Sequence, residues 1–474
     1  MKALSKLCIS GMVVLALIGC AVTSVQAQDS ESILTLPNAL KMALANQQII
    51  KAKANYAKAS AQNITSAKRD GLPDFTLSAQ QAYGTTNGLN GLASGLPGNV
   101  TITAGPTTTS QNWNAAFASI YASNINWNLF SFGLQRAHVA DAAGVNNRDE
   151  ADLGQEQFEQ QTKVAGAYLD LLTAQRLHYS MNVNLWRVSQ LRDVIMARTV
   201  NGLNAGVDSS IANAELSKAR IAVTDAIIYE QGKIRELAIQ MGVNEQRFVL
   251  DTSFVSRIPA SLPAGQIDDL SAHPLLQFLA SRVKSSELTA SYLSKSKLPK
   301  VLLFGAFQER GSGFGTGYDA GNLSNFSSNY LTGINPVRGN YLIGIGVSWN
   351  LTDLSRVSSR VKSQHYYSDA LNNEYHYQEN NLTNQLEEGN RQLLNTLQKY
   401  KEAPIQLKAA SDAYEQKKML YSNGLTTIVD VTQTLYNLNR AETDRDIASN
   451  SVWQSLLYIA GSSGNLNLFL NQVN

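Results

Sequence analysis

The stretch INWNLFSFG, from Ile125 to Gly133, has a counterpart in VSWNLTDLS, from Val347 to Ser355. Both carry Trp-Asn-Leu behind an alternating run, with Trp127 and Trp349 lying 222 positions apart. In the first copy Ile125, Trp127 and Leu129 alternate with Asn124, Asn126 and Asn128. In the second, Tyr341, Ile343, Ile345, Val347, Trp349 and Leu351 alternate with Gly344, Gly346, Ser348 and Asn350. A period of two with one apolar face predicts a β-strand. An apolar face that ends in an aromatic residue, opposite a small or polar face, is the pattern of a membrane-spanning strand and its aromatic girdle.

The offset of 222 extends well beyond these stretches. Gly202-Leu203 recurs as Gly424-Leu425, Asp208 as Asp430, Leu171-Leu172 as Leu393-Leu394, and Gly242 as Gly464. Upstream, GLPDFTLSA (Gly71–Ala79) faces KLPKVLLFG (Lys297–Gly305), with Pro73 and Pro299 at an offset of 226. One nearly constant offset is the mark of an internal duplication, too long for a solenoid unit. Two structural repeats are therefore expected, residues 28–250 and 251–474. Each would run helix, two strands, long helix, shorter helix.

Within the first repeat, Ala39–Asp70 lacks Gly and Pro and reads as a helix stopped by Gly71-Leu72-Pro73. Strands follow from Phe75 and again through Phe117 to Leu129. Leu134 to Asn201 is free of Pro, and a helix of that length would span roughly 100 Å. Ser209–Met241 would be a helix about half as long. In the second repeat Ser355–Ser422 is the long helix, where Pro404 predicts a kink or break.

Bulk composition narrows the class. Of 474 residues only 16% are charged, and the formal net charge of +2 gives no basic field for nucleic acid. Lys2 and Lys6 precede an apolar run, Met12–Ile18, and small residues follow, as in a secretory signal peptide over residues 1–27. Val25-Gln26-Ala27 would be cut to leave Gln28, whereas Leu17-Ile18-Gly19-Cys20 resembles a lipobox that would leave an acylated Cys20. Cleavage after Ala27 would remove both cysteines, Cys8 and Cys20, and with them disulfides and thiolate chemistry. No later run of 18 apolar residues occurs, so a membrane could be crossed only as a β-barrel. Four strands cannot close one, since barrels start at about eight. Either the strands pair across copies of the chain, or they form a half-buried soluble sandwich with Trp in its core.

Both repeats resemble the bacterial outer membrane efflux protein family, the TolC-like export ducts. The resemblance runs from Leu34 to Gly464. It is carried by Leu34-Thr35-Leu36 with Ala39-Leu40, both Leu-Pro strand openings, both Trp-Asn-Leu endings, and SNGLTTIVDVTQTLYNLNRAE (Ser422–Glu442). It implies a mainly α fold with β: a TolC-like trimeric α/β barrel, four transmembrane strands per protomer continuing into long periplasmic helices. It also implies a passive outer-membrane channel of tripartite efflux or type I secretion, with no reaction and no cofactor. The implied partners are two further copies (a homotrimer), a periplasmic adaptor (membrane fusion) protein, an inner-membrane RND or ABC pump, and outer membrane lipid.

Under this resemblance the turns at Gly202-Leu203 and Gly424-Leu425 form the periplasmic tip. Asp208 and Asp430 begin the returning helices, where Asp commonly caps or offsets the helix dipole. The resemblance instead puts Asp430 in a ring of three carboxylates that constricts the lumen and attracts cations. Relatives often carry a second acidic residue where this chain has Gln433. Tyr421 resembles a position that ties neighbouring tip helices when the channel is closed, but its usual basic partner after the glycine is replaced by Leu425-Thr426-Thr427. Trp127, Trp349, Trp113 and Phe130 are candidate membrane-interface anchors.

Gly311–Gly317 is Gly-rich, but without a strand-loop-helix context or a Lys-Ser/Thr it reads as an external loop. His138, His178, His273, His365 and His376 have no metal-ligand spacing, and no nucleophile motif occurs, so an enzyme is not expected. A barrel-anchored structural or adhesive surface protein with a helical stalk is the competing function. An outer-membrane hydrolase is a weaker one.

Overall fold

The computed structural model describes residues 33–88, 105–252 and 270–473. The signal peptide expected over residues 1–27, with its alternative cleavage and acylation sites, lies outside the described residues. In order come α1 (Leu36–Asn46), α2 (Gln48–Arg69), β1 (Asp74–Thr85), β2 (Ala115–Phe130), α3 (Leu134–Val200) and α4 (Gly206–Met241). Then follow α5 (Pro274–Lys295), β3 (Lys300–Ser312), α6 (Tyr330–Ile334), β4 (Arg338–Ser348), α7 (Asp353–Ser422), α8 (Ile428–Ser463) and α9 (Asn467–Val473). The chain divides into two compact units, each drawing on both halves of the sequence.

One unit comprises the chain up to Asn46 with Val164–Ala260 and Glu402–Asn450. Its α1 buries Leu36, Ala39, Leu40 and Ala43, the i, i+3, i+4, i+7 stripe of an amphipathic helix. Leu34 bridges Leu250 in parallel. The buried Tyr168 hydroxyl binds both strands of that bridge, donating to the Leu34 carbonyl at 2.8 Å and accepting from the Asp251 N–H at 3.0 Å. Residues Val164–Ala174 of α3 are buried on nearly every side. A second core joins Val188 and Ile195 of α3 to Ala212 of α4, Tyr414 and Tyr421 of α7, and Val431 and Leu435 of α8.

The other unit comprises Gln47–Lys163, Ser261–Lys401 and the chain from Ser451. It holds one antiparallel sheet in the order β1-β2-β3-β4, so that β1 and β4 are its edges. Register fixes the faces. Phe75, Ile125, Gly305 and Ile343 form one row, and Leu77, Ser123, Phe307 and Tyr341 form another on the same side. Alternation puts Ser78, Ala122, Gln308 and Asn340 on the opposite face. The apolar side is left open: Phe75 is 66% exposed, Leu77 74%, Tyr341 82% and Ile343 75%. A bulge at Leu129 lets Phe130 pair with Val301.

Several expectations need correction. The helix expected over Ala39–Asp70 is two helices, because Gln47 adopts an extended conformation between them (φ −60°, ψ 124°). The polar Asn46-Gln47-Gln48 offers no apolar side chain to hold the turn. β4 ends at Ser348, so Trp349 and Leu351 lie beyond the strand. Of the kink or break expected at Pro404, the break does not occur, since α7 runs through it. A single Pro removes one N–H bond at a cost of about 3 kcal/mol, which the turns on either side can absorb. α4 begins at Gly206, three residues before the expected start. Gly311 and Ser312 finish β3, so only the rest of the Gly-rich run is loop. The short α6 was not foreseen. It is capped by the Asn329 carboxamide, which accepts from the Leu331 N–H at 2.9 Å, and it packs on the apolar side of β2 and β3 through Ser119 and Phe117.

Candidate functional site

The two turns at Gly202 and Gly424 are built alike. Both glycines have positive φ, +71° and +75°, a region costly for residues with a Cβ. In each, the glycine N–H reaches three residues back (Thr199, Tyr421) and the following leucine N–H five back (Arg198, Leu420), at 2.9–3.0 Å. These are Schellman stops, and they leave Leu203 69% and Leu425 72% exposed.

A hydrogen-bonded joint links the two turns inside one unit. The Asn204 carboxamide donates to the Tyr421 hydroxyl at 2.5 Å and to Asp208 at 2.9 Å, and its oxygen accepts from Arg198 Nε at 3.0 Å. Arg198 also donates to the Ser422 carbonyl at 2.8 Å and lies 5.5 Å from the centre of the Tyr421 ring. Burial pushes the Tyr421 phenol above its ordinary pKa, so it stays protonated at neutral pH. Behind the joint, Arg187 and Glu442 form a two-pronged ion pair at 2.8 and 2.6 Å.

Asp430 stands outside that joint. Its carboxylate accepts from the Thr426 hydroxyl at 2.5 Å and the Thr427 N–H at 3.5 Å, while its own N–H donates to Thr427 Oγ1 at 3.3 Å. With α8 starting at Ile428, this reciprocal arrangement is a capping box. The bonds from Thr426 and Thr427, helped by Lys417 at 3.8 Å, hold the Asp430 carboxyl below the usual range. Gln433 is exposed and bonds only along its own helix, to Asn437. The geometry thus brings Tyr421 and Asp208 together, and leaves Asp430 and Gln433 with neighbours near in sequence. Reading the sequence missed Arg198 and Asn204. The cation beside the Tyr421 ring, Arg198, comes from the last turn of the other long helix.

The repeated tryptophans share a role in the sheet-bearing unit. The Trp127 indole N–H donates to the Gly71 carbonyl at 2.9 Å, and that of Trp349 to the Lys297 carbonyl at 3.1 Å. Gly71 and Lys297 each lie two residues before the strand-opening proline. Each indole therefore satisfies a carbonyl freed where a helix ends and ties that point to the end of the returning strand. Trp113, at the opposite end of β2, is 81% exposed, and Phe130 is 55% exposed and packs edge-on against Phe132 at 4.7 Å. Replacing both Trp127 and Trp349 by Phe should lower the thermal unfolding midpoint, each lost bond being worth about 0.5–1.5 kcal/mol. Trp113→Phe should leave it unchanged, and heat-dependent gel mobility measures both variants.

Among the described residues no group of His, Cys, Asp and Glu could hold a metal. His273 caps α5 by accepting from the Leu275 N–H at 3.1 Å, while its other ring nitrogen lies 3.1 Å from the Gly461 carbonyl. Burial lowers its pKa, in keeping with a neutral ring.

Residues 270–465 match the outer membrane efflux protein family. No curated protein sequence matches the chain. Among solved structures, the chain is similar to the outer-membrane channel OprN, at 18% identity and TM-score 0.70, with 91% of this chain and 90% of that one covered. The Campylobacter jejuni outer membrane channel CmeC is similar at 14% identity and TM-score 0.71, with 90% and 85% covered. The Vibrio cholerae outer membrane protein VceC is similar at 15% identity and TM-score 0.69, with 91% and 96% covered. The fold is therefore the TolC-like fold of outer-membrane channels.

Proposed function

We propose that this chain, whose residues 270–465 match the outer membrane efflux protein family, is the outer-membrane duct of a tripartite efflux or type I secretion system. Residues 28–250 and 251–474 act as two repeats of one protomer. Three protomers close a twelve-strand barrel whose helices continue through the periplasm. The observation that carries this reading is the sheet: among the described residues it has four strands, neither edge strand has a further partner strand, and one apolar face is open. Such edges invite strand pairing, and an exposed apolar face of this size needs a covering. Three copies in a bilayer satisfy both requirements.

The duct is passive and carries out no reaction. A periplasmic adaptor protein holds its tip against an energised inner-membrane pump, RND or ABC, and the exposed Leu203 and Leu425 are offered to that adaptor. The joint of Arg198, Asn204, Asp208 and Tyr421 latches the tip closed. Asp430 acts twice, capping α8 and, in three copies, forming a carboxylate ring. Trp127, Trp349, Trp113 and Phe130 face the membrane interfaces.

Planar-bilayer recording of purified protein tests the duct. Step conductances are expected, and Asp430→Ala should raise them and weaken block by divalent cations. Protein that never conducts, even with Tyr421→Phe and Asp430→Ala combined, would instead be a stalked surface protein. Conductance and block unaltered by Asp430→Ala would leave that residue a helix cap alone.

A further inference from the structure

The sheet-bearing segments are nearly devoid of charge. From Phe75 to Gln135 there is no Asp, Glu, Lys or Arg, and from Val301 to Thr352 there are four charged residues: Glu309, Arg310, Asp319 and Arg338. The two arginines are direct cross-strand partners, the last pair of the β3–β4 ladder. Partners in register share a face with Cβ atoms about 4.5–5.5 Å apart, where like charges repel. Strand alternation assigns both to the polar face, with Gln308, Ser312, Asn340 and Ile120 as neutral neighbours. Glu309 faces the opposite side, and the Asp319 carboxylate accepts from the Gly321 N–H in the β3–β4 connection at 2.8 Å. Neither guanidinium has an ion-pair partner among the described residues, and both arginines are exposed.

A sheet this sparing of charge that pairs two arginines in register, with no carboxylate beside them on that face, holds a site for an anion from outside the fold. We propose that Arg310 and Arg338 form an oxyanion-binding pair on the luminal face at the outer mouth of the barrel. The ligand is a phosphate, sulfate or carboxylate group carried by a solute in transit. Guanidinium donors are arranged as a planar fork suited to such groups. Under the duct reading, on which the luminal assignment rests, three protomers present six guanidiniums around one opening. The α6 helix packs on the other face and leaves the pair open to solutes.

The test uses the full-length protein in neutral detergent with inorganic tripolyphosphate at low salt, read by titration calorimetry. Saturable binding is expected, at least tenfold weaker in Arg310→Gln/Arg338→Gln and partly restored in Arg310→Lys/Arg338→Lys. Absence of binding, or equal binding by the Gln variant with trimers intact on unheated gels, overturns the inference. In bilayers of neutral lipid, tripolyphosphate added on the barrel side should block the current of the native channel and not of the Gln variant. Binding without block would assign the pair to phosphates of the membrane surface and overturn the luminal site. Binding in a protein that never conducts would keep the anion site and remove the duct.

Discussion

Channels carrying Tyr421→Phe together with Arg198→Ala should be open at least tenfold more of the time than the native channel at the same voltage. The Phe variant keeps the ring and its place in the core but gives Asn204 no hydroxyl to donate to. The Ala variant removes the bonds to Asn204 and to the Ser422 carbonyl along with the cation held near the ring. A neutral hydrogen bond contributes about 0.5–1.5 kcal/mol and one from a charged donor about 1.5–3 kcal/mol. Loss of about 3 kcal/mol per protomer exceeds the roughly 1.4 kcal/mol that makes a tenfold change in an equilibrium, and in the proposed trimer it is repeated in every subunit. Asn201→Ala is the control, because Asn201 bonds only to Ala197 on its own helix. An open probability equal to native in the double variant would mean that the joint does not hold the tip closed.

The residues of this joint show where sequence reading stops. Gly202 and Gly424 could be found because a left-handed stop favours glycine and the offset of 222 repeated it. Tyr421 and Asp208 could be singled out by motif and resemblance. Arg198 and Asn204 could not, since their partners Tyr421 and Ser422 lie more than two hundred residues away and the contact exists only once the two helical hairpins pack.

The same division holds in the fold. Strict alternation made the strands legible to within a few residues, and Pro-free runs did so for α3 and α4. The break at Gln47 has no Gly or Pro to announce it. α6 did have local signals, Asn329 before it and Pro336 after it, hidden in a loop that reads as uniformly polar and Gly-rich. The tryptophans were conspicuous as a repeat, but the reason for repeating them lies in acceptors 56 and 52 residues upstream. A duplicated junction needs the same indole twice because the same two ends must be tied twice.

Leu342 and Ile343 are adjacent, both aliphatic and both exposed, at 59% and 75%, yet arginine at the two positions should have opposite consequences. Ile343 pairs with Gly305 in the row that contains Phe75 and Ile125, and Leu342 pairs with Ala306 on the polar face. If the first face meets lipid, Ile343→Arg places a charge near the bilayer midplane, at a cost of about 2–4 kcal/mol. Three copies bring that to about 6–12 kcal/mol. This is comparable to the whole stability of an ordinary domain, roughly 5–15 kcal/mol, so heat-resistant trimers should be lost from the outer-membrane fraction. Leu342→Arg turns its charge toward water in the lumen and should assemble at near-native levels. In a soluble sandwich the buried face would tolerate arginine poorly and the open face well, without reference to a membrane fraction. Equal assembly of both variants would show that neither face meets lipid. Loss confined to Leu342→Arg would invert the barrel, and Arg310 and Arg338 would then face the membrane surface.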